Sequence, residues 1–255
     1  METWYARTEL LLGENSSTIL SNARVAVFGI GGVGGYVCEG LVRSGIGAFD
    51  LTDRDTVSLT NLNRQIIATR KTIGQSKTQA MKERMLDINP AVIVHTNDCF
   101  FLPENADDFP FDSYDYIIDA VDTVTAKIEL IMQAQKHRIP VISAMGAGNK
   151  LDPSLFRASD LSSTKVCPLA RVMRRELKKR GITHLKVVYS EEEPIQPACE
   201  ENSTEILSSE SKTFHKTTPG SVPFVPSAAG MLIAAEVVKD LLLPPRDRLK
   251  NCVPH

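Results

Sequence analysis

Residues 24–34, Arg-Val-Ala-Val-Phe-Gly-Ile-Gly-Gly-Val-Gly, decide the fold. Arg24 to Gly29 reads as a short buried strand, and Gly29, Gly31, Gly32 and Gly34 sit at its end. Val33 to Ser44 then reads as a helix, with Val37, Leu41 and Val42 at helical spacing. A strand that turns through glycines into a helix is the context a nucleotide-binding loop needs. The glycines let backbone approach phosphate oxygens, and the first N–H groups of the helix offer donors and partial positive charge. Asp53 ends the next strand, 19 residues after Gly34. A carboxylate at that place accepts hydrogen bonds from ribose hydroxyls. Taken alone the motif favours NAD, and it does not choose between nucleotides.

The same alternation continues outward. Ala48 to Asp53 is a second strand, and Gly74 to Asn89 a helix that stops at Pro90. Val92 to His95, Tyr114 to Ala120 and Pro140 to Ala144 read as further strands, with a helix over Val124 to His137. Strands separated by helices of this length imply right-handed βαβ units and a mainly parallel sheet. The expected class is therefore α/β, a Rossmann-like nucleotide fold with a smaller C-terminal α+β extension. After about Gly148 the pattern weakens to a strand at Phe156–Asp160, a helix over Cys167–Arg180 and a strand at His184–Ser190. Residues 191–220 are polar and read as a long mobile loop, and Val225 to Leu243 returns as an apolar helix. The expected organisation is one domain over 1–245, with a nucleotide-binding half at 1–148, a substrate-facing half at 149–245 and a tail at 246–255.

Composition sets outer limits. Of 255 residues, 42% are hydrophobic and 24% charged, the balance of a globular chain rather than a disordered one. The apolar stretch Ala228–Leu243 carries Glu236, Lys239 and Asp240, which argues against membrane insertion. No basic segment followed by an apolar one opens the chain, so the expected location is cytoplasmic. Net charge is −2, which points to no polyanion by itself. The five cysteines are scattered with no CxxC pair, which argues against a disulfide framework and a four-cysteine zinc site.

The segment after Asp53 selects the nucleotide. Asp53, Asp55, Asn61, Arg64 and Gln65 lead on to Lys77 through a run far more polar than a strand-to-helix connection needs. A triphosphate attacked at its α-phosphorus gains from fixed cations such as Arg64 and Lys77, which a dinucleotide's pyrophosphate needs less. Asp122 follows the fourth strand and so points into the same crevice. A carboxylate there suits Mg2+ carried with ATP, and the plainer reading is an N-cap supplied by Asp122 or Thr123.

In combination, GIGGVG, DRDTVSLTNLNRQ, GQSK and DAVD are similar to the adenylating superfamily of ThiF, MoeB, HesA and the ubiquitin-activating enzymes. That resemblance implies Asp53 and Asp55 at the ribose, Asn61, Arg64, Gln65 and Lys77 around the phosphates, and Asp122 as the magnesium-associated aspartate. It also implies a homodimer in which Arg7 crosses into the partner's ATP site. Thr60 to Ile66, Gly146 to Gly148, Asp152-Pro153, and Asp160-Leu161 ahead of Pro168 to Ala170 resemble the tRNA threonylcarbamoyladenosine dehydratases in particular. Such enzymes spend ATP to activate the substrate's carboxylate, which then closes into a ring with net loss of water. The resemblance implies tRNA as substrate and leaves open a sulfur-relay protein partner. The lack of paired CxxC motifs sets the chain apart from ThiF- and MoeB-like relatives. It leaves standing an alternative, adenylation of a ubiquitin-like sulfur carrier.

Arg171, Arg174, Arg175, Lys178, Lys179 and Arg180 place six cations in ten residues, opposed by Glu176 alone. Such a run is ordinarily a solvated helix face; with tRNA expected, it becomes a candidate backbone contact. Cys167 before Pro168 and Cys199 in the polar segment are weighed as incidental thiols, and Cys38 as core. An NAD-dependent oxidoreductase and a non-catalytic adaptor are the remaining readings. Intact Arg64, Lys77 and Asp122 count against the adaptor.

Overall fold

The strand at the centre of the motif is central in space as well. The computed structural model describes residues 3–196 and 219–243. In chain order its strands are β1 (Arg24–Phe28), β2 (Ala48–Thr52), β3 (Ile93–Asn97), β4 (Tyr116–Asp119), β5 (Val141–Ala144), β6 (Phe156–Asp160) and β7 (Lys186–Ser190). They form one sheet in the order β3-β2-β1-β4-β5-β7-β6. Every pairing is parallel except that of β6 with β7. The C-terminal extension therefore continues the same sheet rather than building a second one.

Helices cover both faces, so the central strands are apolar on both sides. Val25 and Val27 of β1 join a cluster with α3 (Gly34–Arg43), α4 (Lys77–Ile88) and α7 (Phe224–Leu242). Ala26 and Phe28 point the other way, into a cluster with α5 (Val124–His137) and α6 (Pro168–Lys178). Phe28 there meets Phe101 at 5.0 Å and Phe109 at 5.5 Å between ring centroids.

Two ionic clusters fix the helices that border the crevice. Glu39 of α3, almost fully buried, accepts from Arg84 Nε of α4 at 2.7 Å and from Arg43 Nε at 2.8 Å. Burial pushes its carboxyl up, and the two guanidiniums outweigh that, so it ends below the usual carboxylate range. Lys186 of β7 bonds Asp240 at 2.9 Å and Glu236 at 2.8 Å, both on α7. The Tyr116 hydroxyl donates to the same Asp240 at 2.6 Å. Together these hold α7 across β4 and β7.

Boundaries moved where caps decide them. The helix expected from Gly74 begins at Lys77, because Ser76 takes the N-cap and its hydroxyl accepts from Gln79 N. The helix expected over Cys167–Arg180 runs from Pro168 to Lys178. Near the N-terminus, α1 (Ala6–Leu12) and α2 (Ser16–Ser21) precede the sheet, and α1 buries none of its residues. No helix of the described residues is long and apolar enough to cross a membrane. Most of the expected loop at 191–220, with Cys199, lies outside the described residues, as does the tail at 246–255.

Candidate active site

From β1 the chain steps outward through β2 and β3, then returns to place β4 on the other side of β1. That reversal opens a crevice beyond the carboxyl ends of the two strands, where ligands of open α/β sheets bind. A cavity of about 460 Å³ lies there. Gly29, Gly31 and Gly32 line it from the loop, and Asp53, Asp55, Asn61, Arg64, Gln65, Lys77 and Asp122 complete the wall. Gly34 lies beneath this surface, and Arg7 stands exposed on α1, away from the cavity of its own chain.

The loop is shaped for backbone to face a ligand. Gly29 has φ +90°, and a Cβ there would stand 2.5 Å from the Ala120 carbonyl oxygen. At Gly34 a Cβ would lie 1.8 Å from the Gly29 oxygen. Only glycine fits either place. Asp53 Oδ2 accepts from Ile30 N at 2.7 Å and Oδ1 from Asp55 N at 2.9 Å. Asp53 therefore braces the glycine loop, and each oxygen keeps a second lone pair for another donor.

The cations stand beside this loop and Asp53. Lys77 is the first residue of α4 and nearly buried, with Nζ 2.6 Å from Asp55 and 4.0 Å from Asp53. An ammonium at a helix N-terminus adds to the positive end of the dipole, a combination that favours anions. Arg64 Nη1 donates to Thr60 O at 3.1 Å and to Asn63 Oδ1 at 3.0 Å. Asn61 closes the short turn Leu59–Asn61 by accepting from Ser58 N at 3.1 Å. Gln65 Oε1 is buried without a hydrogen-bond partner, and so is a ready acceptor in the cavity wall. Such an orphan costs about 1–3 kcal/mol until a donor arrives.

Asp122 is exposed at the rim, three residues beyond Asp119 at the end of β4. The N-cap position of α5 belongs to Thr123, whose side chain makes no capping bond. Among the described residues no group of three His, Cys, Asp or Glu side chains could hold a metal ion.

Several wall residues are not evident from the sequence. Arg54 lies 5.1 Å over the Phe100 ring, and both line the cavity with Cys99 and Phe101. Burial, with Asp108 and Asp98 nearby, pushes the Cys99 thiol up. Arg54 follows β2 and the other three follow β3, so the topology that places Asp53 would have pointed to them. On the far wall stand Ala147, Gly148, Pro219 and Ser221. Asn149, at φ +57°, holds that wall together: its Oδ1 accepts from Gly220 N at 2.6 Å and its N–H donates to Gly220 O at 2.8 Å.

The basic helix divides. Arg174 is half-buried and its Nη1 donates to Thr164 O at 2.8 Å and to Leu161 O at 3.3 Å, a bond that closes the preceding loop. It does not belong to an open cationic face. Arg175, Lys179 and Arg180 gather on Glu176, at 3.1, 2.9 and 3.5 Å. Arg171 and Lys178 are exposed. Cys38 is core, its thiol pushed far up by burial, and Cys167 is buried at the N-cap of α6.

Comparison with known proteins agrees with this fold. A tRNA threonylcarbamoyladenosine dehydratase of Bacillus subtilis (strain 168) is 42% identical over 240 residues, covering 93% of this chain and 94% of that one. The crystal structure of E. coli tRNA N6-threonylcarbamoyladenosine dehydratase, TcdA, in complex with ATP superposes with a TM-score of 0.82 at 32% identity, covering 93% of each chain. The same enzyme in complex with AMP gives 0.81, covering 92% of each. Residues 5–253 match the ThiF family, which takes in the glycine loop, both cations and Asp122, and the chain belongs to that family.

Proposed function

We propose that this chain is an ATP-dependent tRNA threonylcarbamoyladenosine dehydratase. The observation that carries the reading is the one crevice in which Arg64, Lys77 and Asp122 meet a loop that admits only glycine at Gly29 and Gly34. Near full-length similarity to enzymes of that name supports the choice of substrate.

The chemistry is carboxylate activation. Hydroxide is a poor leaving group, so a carboxylate oxygen of the substrate attacks the α-phosphorus of ATP and pyrophosphate departs. Lys77 and Arg64 offset charge gathering on the phosphates, where preorganised cations act most strongly. A nitrogen of the same substrate then attacks the acyl carbon and gives up its proton. AMP leaves carrying the former carboxylate oxygen, so water is lost without being released as such. Ring closure is intramolecular and gains from high effective molarity, and no protein thiol is required. Magnesium fits as an ion carried with the nucleotide: one rim carboxylate, Asp122, suits a cation that keeps phosphate and water ligands. When bound it would neutralise phosphate charge.

A homodimer belongs to the same reading. Leu10 and Leu11 of α1 are 88% and 84% exposed, and a second copy would cover them while bringing Arg7 to the partner's cavity. The tRNA backbone would run over Arg171 and Lys178, with Arg175, Lys179 and Arg180 as partners shared with Glu176, and without Arg174.

Incubation of the protein with ATP, magnesium and tRNA bearing threonylcarbamoyladenosine, followed by mass analysis of the nucleosides, tests this. The modified nucleoside should become one water lighter, with AMP and pyrophosphate formed in equal amount. Unchanged tRNA, together with pyrophosphate exchange stimulated by a ubiquitin-like protein ending in two glycines, would replace this reading by the sulfur-carrier alternative.

A further inference from the structure

Beneath the cavity floor lies an ion pair that none of the chemistry above uses. Asp119 at the end of β4 and Lys127 in the first turns of α5 are 0% and 1% exposed. Lys127 Nζ donates to Asp119 Oδ1 at 3.2 Å, to Oδ2 at 3.1 Å, and to Ala144 O at the end of β5 at 2.7 Å. The Ser143 hydroxyl donates to Asp119 Oδ2, across the register that pairs Asp119 with Ser143. Asp119 Oδ1 also accepts from Val121 N at 3.3 Å.

Stability is a poor explanation for this arrangement. Two charges removed from water lose several kcal/mol each in solvation, and well-packed apolar residues are often as stable or more so. The ammonium also stands near the positive end of α5, where a cation is disfavoured. What the pair supplies is direction. It ties together the two strand ends that lead into the cavity lining. From Asp119 the chain turns through Ala120 and Val121 to Asp122, and the Ala120 carbonyl abuts Gly29 of the phosphate loop. From Ala144 it runs on to Ala147 and Gly148 on the far wall.

We propose that Lys127 is a positioning residue for adenylation, acting through Asp119 to set the Ala120–Asp122 turn against the glycine loop. Lys127 does not reach the cavity itself. The inference rests on the adenylation reading, so wild-type pyrophosphate exchange stimulated by the modified tRNA is measured first. Its absence strikes that reading, and the inference falls with it.

The test removes both charges at nearly constant volume, in the double variant Asp119→Asn/Lys127→Met. Misplacement of reacting groups by as little as ~1 Å costs up to about 100-fold. The expected double variant unfolds within a few degrees of the parent, yet its kcat falls by about tenfold or more while KM for ATP stays within about threefold. A folded double variant with the parent's kcat overturns the proposal. Should the double variant not fold, Ser143→Ala decides between the outcomes. It leaves the ion pair whole and removes one of the two donors to Asp119 Oδ2, so the carboxylate is held less firmly. A several-fold drop in kcat at unchanged thermal stability supports positioning, and the parent's kcat refutes it.

Discussion

Asp122→Ala should fold normally and lose adenylation, with the exchange rate at saturating ATP falling by at least about 100-fold. The residue is exposed at the rim, so removing its carboxylate deletes no core packing. Its place after β4 puts it in the wall of the same cavity as Arg64 and Lys77. The loss should therefore appear in kcat far more than in the affinity for ATP, since an interaction gained only in the transition state affects both kcat and kcat/KM. Thermal unfolding measured beside pyrophosphate exchange separates the cases. A variant that turns over at the parent's rate would remove Asp122 from the chemistry.

The second large effect is expected at Gly34→Ala. Alanine is ordinarily the better helix residue by about 1 kcal/mol, so propensity alone predicts a gain. Here its methyl carbon would lie 1.8 Å from the Gly29 oxygen, with the Ala120 side chain 3.3 Å away. Backbone on one side and a Cβ fixed to backbone on the other leave nothing soft to yield, so the glycine loop must move. The phosphate cradle moves with it. Binding of ATP, read by calorimetry, should weaken by at least about tenfold, as overpacking of a tight site costs about 1–3 kcal/mol. Undiminished affinity would show that the phosphates do not rest on this loop.

These two residues also show what sequence can and cannot carry. The glycine loop was legible because strand, glycines and helix are contiguous, and one steric requirement explains all of them. Asp122 was legible because the end of a parallel strand is a known place in such sheets. Lys77 was legible as a cation but not as a helix start; Ser76 decides that through a cap of local geometry. Arg174 departs from the expected face for a different reason. Helical spacing puts it beside Arg171 and Lys178, yet its partners are the Leu161 and Thr164 carbonyls of a preceding loop, which periodicity does not encode. Phe100, Cys99 and the Lys127–Asp119 pair were missed likewise. Each acquires its meaning only when strands distant in sequence stand side by side.

A crystal structure of the protein with bound ATP tests the central claim most directly. The phosphates should lie within hydrogen-bonding distance of Arg64, Lys77 and the N–H groups of the Gly29–Gly34 loop, with the α-phosphorus open toward the Asp122 side. A nucleotide bound elsewhere, or one in this crevice whose phosphates meet neither Arg64 nor Lys77, would contradict the account.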